Sequence, residues 1–400
     1  MEEWDADIVK KLCYNTPCVL LERSHGFRIF IDNIQFKKLF IYYMLASIVS
    51  LSQKFISIKS IPSNPKGLEK ILELALAQVK DFKTERFEKN GVKSALVFNG
   101  NKRPKKFKII LNAHLDVIPG KEEQYIPYIK GSKLYGVGSM DMKANAACLI
   151  MAFKEVAKLV EYPLALQLTT DEEIGGFDGT KYQVEKGVRA DFILAGEPTN
   201  FDIVHKAKGV LWLKIFAPGK TAHGAYPWRG INAIWEMNSF LNNLKITYPI
   251  ATEEKWITTI NLSNIETNNA VFNKIPDNCI IGLDIRFIPE DAKTIVKKIK
   301  MLLPKGFKLK IIANEPALFT PQDNSFVQLL KSIGKDVTKK NISLRGAQGT
   351  SDARHFSRVQ GSGIEFGPIG KGIGSDREWV SIPSLEKYFY IMKNFLKSIK

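Results

Sequence analysis

The sequence predicts an α/β fold with a mostly parallel sheet, interrupted by a smaller α+β unit of ferredoxin-like order. Three observations carry this prediction. Short apolar runs such as 107–112 (FKIILN), 164–170 and 192–195 read as buried strands that end in polar residues, with helical stretches between them. From about 206 to 310 the text changes to longer strand-like segments around one helix. The 400 residues, 45% apolar and 25% charged, provide two to three ordinary globular domains with a full core.

Residues 1–43 carry no usable motif and are read as an atypical N-terminal segment. The apolar run 39–51 (LFIYYMLASIVSL) is too short to span a bilayer, and 38 mixed residues precede it, unlike a signal peptide. It reads as an amphipathic helix closing onto the core and stopped before Pro62. A second helix is expected at 66–81, strands at 94–98 and 107–112, and an apolar helix from just after Asp141 to about 160. In the inserted unit, strands are expected at 210–217, 257–265 and 279–288, with a helix over 230–245. The first unit is expected to resume near Phe307 (FKLKIIANEPALFT). The chain thus divides into 1–43, 44–205 with 309–400, and the inserted 206–308.

Net charge is +17, but the excess is lysine scattered along the chain without a long basic block. It reads as a solvated surface, not a nucleic-acid footprint, and no RNA-binding or zinc-finger spacing is present. Cys13, Cys18, Cys148 and Cys279 lack metal-ligand spacing, which predicts a reduced cytoplasmic protein with no nucleic-acid or membrane partner.

The chemistry gathers at strand ends. His114 and Asp116 follow the run 109–111, and at period two they point to one side. Open α/β sheets place ligands at such C-terminal ends. A metal-binding imidazole usually gives its other N–H to a carboxylate. Asp141 stands in a glycine-flanked loop at a helix start, as a ligand or as an N-cap. Asp171, Glu172 and Glu173 precede Gly-Gly, and three clustered acids are costly unless a cation neutralises them. Glu197 ends the next strand. His114, Asp141, Glu173 and Glu197 together suit zinc, cobalt or manganese, and a carboxylate can bridge two ions.

The segments AHLDVIPG, GVGSMDMKANAA, TTDEEIGG, AGEPT, KTAHGAYPWRGINA and GTSDARHF, spread over about 45–400, closely resemble one enzyme family. It is the dinuclear-zinc amidohydrolases and peptidases, which include acetylornithine deacetylase, succinyl-diaminopimelate desuccinylase, aminoacylase and the glutamate carboxypeptidases. The resemblance implies that His114 and Glu197 hold one metal, that Asp141 bridges, and that Glu173 binds the second. It implies that Asp116 orients His114. Glu172 becomes the general base that takes a proton from water and passes it to the leaving amine. The inserted unit becomes a lid and dimerisation domain. Its His223 completes the site, often from the other subunit of a homodimer; without the family, His223 is only a loop histidine. Asn268 and Arg286 resemble lid positions that grip a substrate carboxylate, although a strand-face Arg equally makes a surface ion pair. Thr350 resembles part of a substrate-contacting loop, or else marks a helix N-cap.

One position departs from the pattern. Family members carry a metal-binding His four residues before a Glu-aromatic-Val run; here that run is Glu378-Trp379-Val380, and the matching position is Gly374. Asp376 is a candidate substitute, whereas His355, in the helix after GTSDAR, reads as structural. The expected activity is hydrolysis of an amide in a small carboxylate-bearing substrate, an N-acyl amino acid or short peptide, with one or two zinc ions. The alternatives are a dipeptidase or aminopeptidase of the same family, or a binding protein impaired by the loss at Gly374.

Overall fold

The computed structural model describes residues 43–399 in full and, before them, the backbone of 20–21, 28–29 and 33–42. The rest of the N-terminal segment, with Cys13 and Cys18, lies outside the described residues. Helix α1 (Asn33–Ile56) is longer than the apolar run suggested and continuous across position 43. Its Met44, Ile48, Leu51 and Phe55 are buried at helical spacing, so one stripe faces the core. Helix α2 (Pro65–Ala77) begins where Asn64 caps the Gly67 N–H and Pro65 takes the first turn, where its missing N–H costs nothing.

Strands β1 (Lys83–Lys89) and β2 (Val92–Phe98) form a hairpin through Asn90-Gly91, both at positive φ, a turn that matches the strand twist. Strand β3 (Phe107–His114), helix α3 (Lys143–Val156), strand β4 (Leu164–Thr169), the short helix α4 (Thr180–Glu185) and strand β5 (Ala190–Ala195) follow. β4, β3 and β5 lie side by side and parallel, with His114 opposite Thr169, so their C-terminal ends are level. Both faces of these strands are covered. Ile109, Leu111, Leu166 and Leu194 point towards α1, α3 and the C-terminal helix, while Ile110, Ala165 and Ile193 point the other way, towards Val184 and Phe356. Burial on both sides explains why the strands are apolar throughout instead of alternating.

After β6 (Ile203–Ala207) the chain enters the inserted unit: β7 (Gly209–Pro218), α5 (Ala233–Thr247), β8 (Thr259–Glu266), β9 (Asn278–Phe287), α6 (Ile295–Leu302) and β10 (Lys308–Glu315). This is a βαββαβ chain with sheet order β8-β9-β7-β10, all antiparallel, the ferredoxin-like arrangement. Leu211, Leu213, Ile215, Ile281, Leu283 and Ile285 pack on Met237, Phe240 and Ile299 of its two helices. The stretch beginning at Phe307, expected to return to the large sheet, instead supplies β10, which pairs with β7. An apolar segment specifies a strand but not which sheet it joins.

The chain rejoins the large sheet at β11 (Leu318–Phe319) and continues through α7 (Ser325–Thr338), β12 (Leu344–Ala347), β13 (Ser362–Glu365) and α8 (Ile382–Ser398). The nine strands run β11-β6-β13-β5-β3-β4-β2-β1, with β12 also on β6. The centre is parallel and antiparallel strands lie at both flanks. Among the described residues no helix is long and apolar enough to cross a membrane.

Candidate metal centre

His114 ends β3, Glu172 and Glu173 follow β4, and Glu197 follows β5, so three neighbouring parallel strands deliver their polar ends to one edge of the sheet. Asp141 arrives from the loop before α3, where its peptide bond to Met142 is cis. Ligand atoms of His114, Asp141 and Glu173 lie within 4.8 Å of one another. Glu197 Oε2 lies 3.7 Å from His114 Nε2, and Asp141 Oδ1 lies 3.1 Å from the same nitrogen.

The tautomer follows from the neighbours. His114 Nδ1 lies 3.0 Å from the Asp116 carbonyl oxygen, which can only accept, so Nδ1 carries a proton; Nε2 faces Asp141 and Glu197 and carries a second proton, or a metal ion in its place. Two carboxylates converging on one buried ring nitrogen call for positive charge there, a proton in the metal-free chain or a metal ion in its place. The charge balance says the same. Burial alone lowers the His114 pKa, but Glu197, Asp116 and Asp141 outweigh it and raise it well above the ordinary value. Burial pushes the Glu173 carboxyl up to about 7, opposed by His114 and reinforced by Asp141. Burial and then Glu197 push Glu172 well up, and burial raises Glu197 itself. Glu197 Oε1 is buried with no hydrogen-bond partner. One imidazole and several carboxylates around such an atom fit a divalent ion of the zinc, cobalt or manganese type.

Asp116 is fully buried and holds more than the histidine. Its Oδ1 lies 3.6 Å from Nδ1, while its two oxygens accept the backbone N–H groups of Glu172 (3.3 Å) and Glu173 (3.0 Å). One carboxylate thereby ties the β3 end to the loop after β4.

Other supports were not visible in the sequence. Glu378 is buried and accepts the N–H groups of Gly138 (3.0 Å), Met140 (2.8 Å) and Asp141 (3.0 Å), fixing the loop that presents Asp141. Arg354 Nη2 donates to the Gly175 carbonyl at 2.6 Å, and His355 Nε2 donates to the same oxygen at 3.1 Å, pinning the turn after Glu173. His355 is therefore a buried structural donor, as its sequence position suggested. Gly175 and Gly176 sit at φ 109° and 62°, where a side chain is disfavoured. Asp352 accepts from Thr169 and Thr180. These partners lie up to 240 residues away in the chain, and although the residues fall in motif segments, nothing local marks which groups they hold.

The lid positions fall elsewhere. His223 is exposed, bridges to Lys274, and accepts the Ala225 N–H on Nδ1. Asn268 is exposed, and its backbone N–H is held by Asn278. Arg286 on β9 pairs with Asp284 at 2.9 Å, the surface ion pair that was one of its two readings. Among the described residues no hydrogen bond or ion pair joins these three to the acidic nest. Thr350 is half-buried and its Oγ1 has no partner; it caps no helix. Asp376 pairs with Lys121 and is 62% exposed, so it does not stand in for the missing histidine.

A family model described as peptidase family M20/M25/M40 matches residues 110–398. A succinyl-diaminopimelate desuccinylase of Pelagibacter ubique is 29% identical over 382 residues, covering 88% of this chain and 98% of that protein. The solved aminopeptidase PepT of Bacillus cereus superposes with a TM-score of 0.71 at 18% identity, covering 88% of this chain and 98% of that one. The YXEP protein of Bacillus subtilis, described as a dinuclear metal-binding peptidase, gives a TM-score of 0.65 at 11% identity over 90% and 99% of the two chains.

Proposed function

We propose that this chain, which belongs to peptidase family M20/M25/M40, releases the amine from a small carboxylate-bearing amide, an N-acyl amino acid or a short peptide. Membership makes it a metal-dependent hydrolase of amide bonds; the substrate, metal and residue roles are our reading. The observation that carries the reading is the convergence of Asp141 and Glu197 on His114 Nε2, with Glu173 alongside.

His114, Asp141, Glu173 and Glu197 would hold zinc, with cobalt or manganese as alternatives. A divalent ion there lowers the pKa of a water towards neutrality and polarises the scissile carbonyl. Glu172, next in the chain to Glu173 and partly buried, takes the proton from the attacking water. The new C–O bond forms, the C–N bond breaks, and Glu172 returns the proton to the departing amine. Asp116 keeps this base in place through the Glu172 and Glu173 amides. His223, exposed on the inserted unit, would reach the site from a second copy and donate to the carbonyl oxygen as it gains charge. Asn268 and Thr350 would grip the substrate, and Arg286 would do so on release from Asp284.

A desuccinylase relative aligned over nearly its whole length supports the deacylase side of the family. The buried free thiols of Cys148 and Cys279 support a reducing, cytoplasmic setting.

The test is amine release from N-acetyl and N-succinyl amino acids and dipeptides in the presence of Zn²⁺ or Co²⁺. Turnover of acylated substrates with a free carboxylate is expected, falling about 10²- to 10⁴-fold in Glu172→Gln. A strict requirement for a free amino terminus would move the assignment to a dipeptidase or aminopeptidase. Turnover unchanged in Glu172→Gln would sink the assigned base.

A further inference from the structure

We infer that this chain retains one metal ion tightly and that its second metal position has no protein donor beyond Asp141 and Glu173. The inference rests on the ligand reading given above and asks how far the donors go. Asp141 and Glu197 lie 3.1 and 3.7 Å from His114 Nε2 and make the first ion's donor set, while Glu173 shares a 4.8 Å group with His114 and Asp141. Three or four protein donors are what one four-coordinate ion takes. If Asp141 is shared with a second ion, that ion is left with Asp141 and Glu173 alone.

The loop that faces this side offers nothing further. Gly374 has no side chain, and a Cβ built on it would point at Ile118 Cδ1, 3.3 Å away. Ile118 in turn donates its N–H to Glu173 Oε1 at 3.3 Å, which places the glycine one residue away from Glu173. Ser375 Oγ donates to the Gly372 carbonyl at 2.7 Å, and Asp376 is held outward by Lys121. Glu378 already accepts three backbone N–H groups. Between these groups lies a cavity of about 310 Å³ lined by Ile118, Lys121, Gln124, Gly374, Asp376 and Glu378, whose two carboxylates are already engaged, Asp376 by Lys121 and Glu378 by the three backbone N–H groups.

No other described histidine substitutes. His355 gives Nε2–H to Gly175, His205 is held by the Thr320 carbonyl, and His223, exposed on the inserted unit, is assigned to the substrate carbonyl. Two carboxylates without a nitrogen donor make a weak, exchangeable zinc position.

The purified full-length chain, loaded with three equivalents of Zn²⁺ and passed through a desalting column, should retain one zinc per chain by elemental analysis. Retention of two equivalents, or of none, would overturn the inference. Cobalt provides a second reading that needs no variant. At one equivalent of Co²⁺ the spin-resonance signal should be that of an isolated ion, and a second equivalent should leave it undiminished. Loss of that signal through coupling between two bound ions sharing Asp141 would overturn the inference. Gly374 sits at φ 70°, so Gly374→His is strained and serves only as a supporting arm, expected to raise retention towards two. Because metal is counted without substrate, one retained zinc with no amine release would reject the hydrolase roles and leave the stoichiometry standing. Two retained zincs with turnover would do the reverse.

Discussion

Glu378 illustrates how a residue outside the proposed ligand set governs one within it. Its carboxylate has acceptor sites for the three N–H groups of Gly138, Met140 and Asp141, all in the loop that turns Asp141 inward. A glutamine keeps one acceptor oxygen and sets an NH₂ against an N–H. Glu378→Gln should therefore weaken metal binding about 10- to 100-fold, the usual effect of removing a support behind a ligand. Competition with a chromophoric chelator reads this directly, and an unchanged affinity would show that the loop holds Asp141 unaided. Glu172, Glu173 and Glu197 are legible in the sequence because each stands beside a strand end, and a strand end has a local signature. Glu378 and Arg354 stand in motif segments, but nothing in those segments names the groups they hold. Their partners lie 237 to 240 and 179 residues away, respectively, so only the folded chain brings them together. Asp116 is an intermediate case. Its proximity to His114 is readable at period two, whereas its grip on the Glu172 and Glu173 amides depends on β3 and β4 lying level.

At the level of elements, strand type is written locally but strand partnership is not. The stretch from Phe307 is expected to return to the large sheet, yet 308–315 pairs with β7, and its local sequence does not distinguish the two sheets. The same sheet has two open edges of different character. On β10, Ile311 and Ile312 are exposed, but so are Lys308 and Lys310, and charged lysines on an edge discourage pairing with another chain. On β8 no lysine appears, and Leu262 and Ile265 are exposed at 39% and 54%. That contrast supports β8 as the seam of the proposed homodimer, two copies extending their sheets edge to edge. Ile265→Lys should shift the chain from dimer to monomer in light scattering. If the dimer survived Ile265→Lys and Leu262→Lys together, the seam would lie elsewhere.

For the whole molecule, the buried carboxyls make stability a function of metal and pH together. In the metal-free chain Asp171, Glu173 and Glu378 are pushed up to about 7 and Glu365 to about 8, with burial the largest cause in each case. A carboxyl whose folded pKa is raised binds its proton more tightly folded than unfolded. Its contribution is fully present below the unfolded value near 4.5 and is lost as pH rises through 7 to 8. His114, raised well above its usual value by surrounding acids despite burial, has the same sign. The metal-free chain should thus melt at progressively lower temperature from about pH 5 to pH 8, each such group contributing up to about 1.4 kcal/mol per pH unit. Zinc acts in the opposite direction, because it needs its carboxylates ionised and His114 neutral and competes with their protons. The rise in melting temperature on adding zinc should be small at pH 5.5 and large at pH 8. Glu365 separates the two effects, since it lies on β13 and its Oε1 accepts the Ser351 N–H. Glu365→Gln should flatten part of the metal-free pH dependence while leaving the number of retained zinc ions unchanged. A metal-free chain whose melting temperature rose with pH over this range would mean that the acids are already ionised and paired, and that the nest does not need its cation.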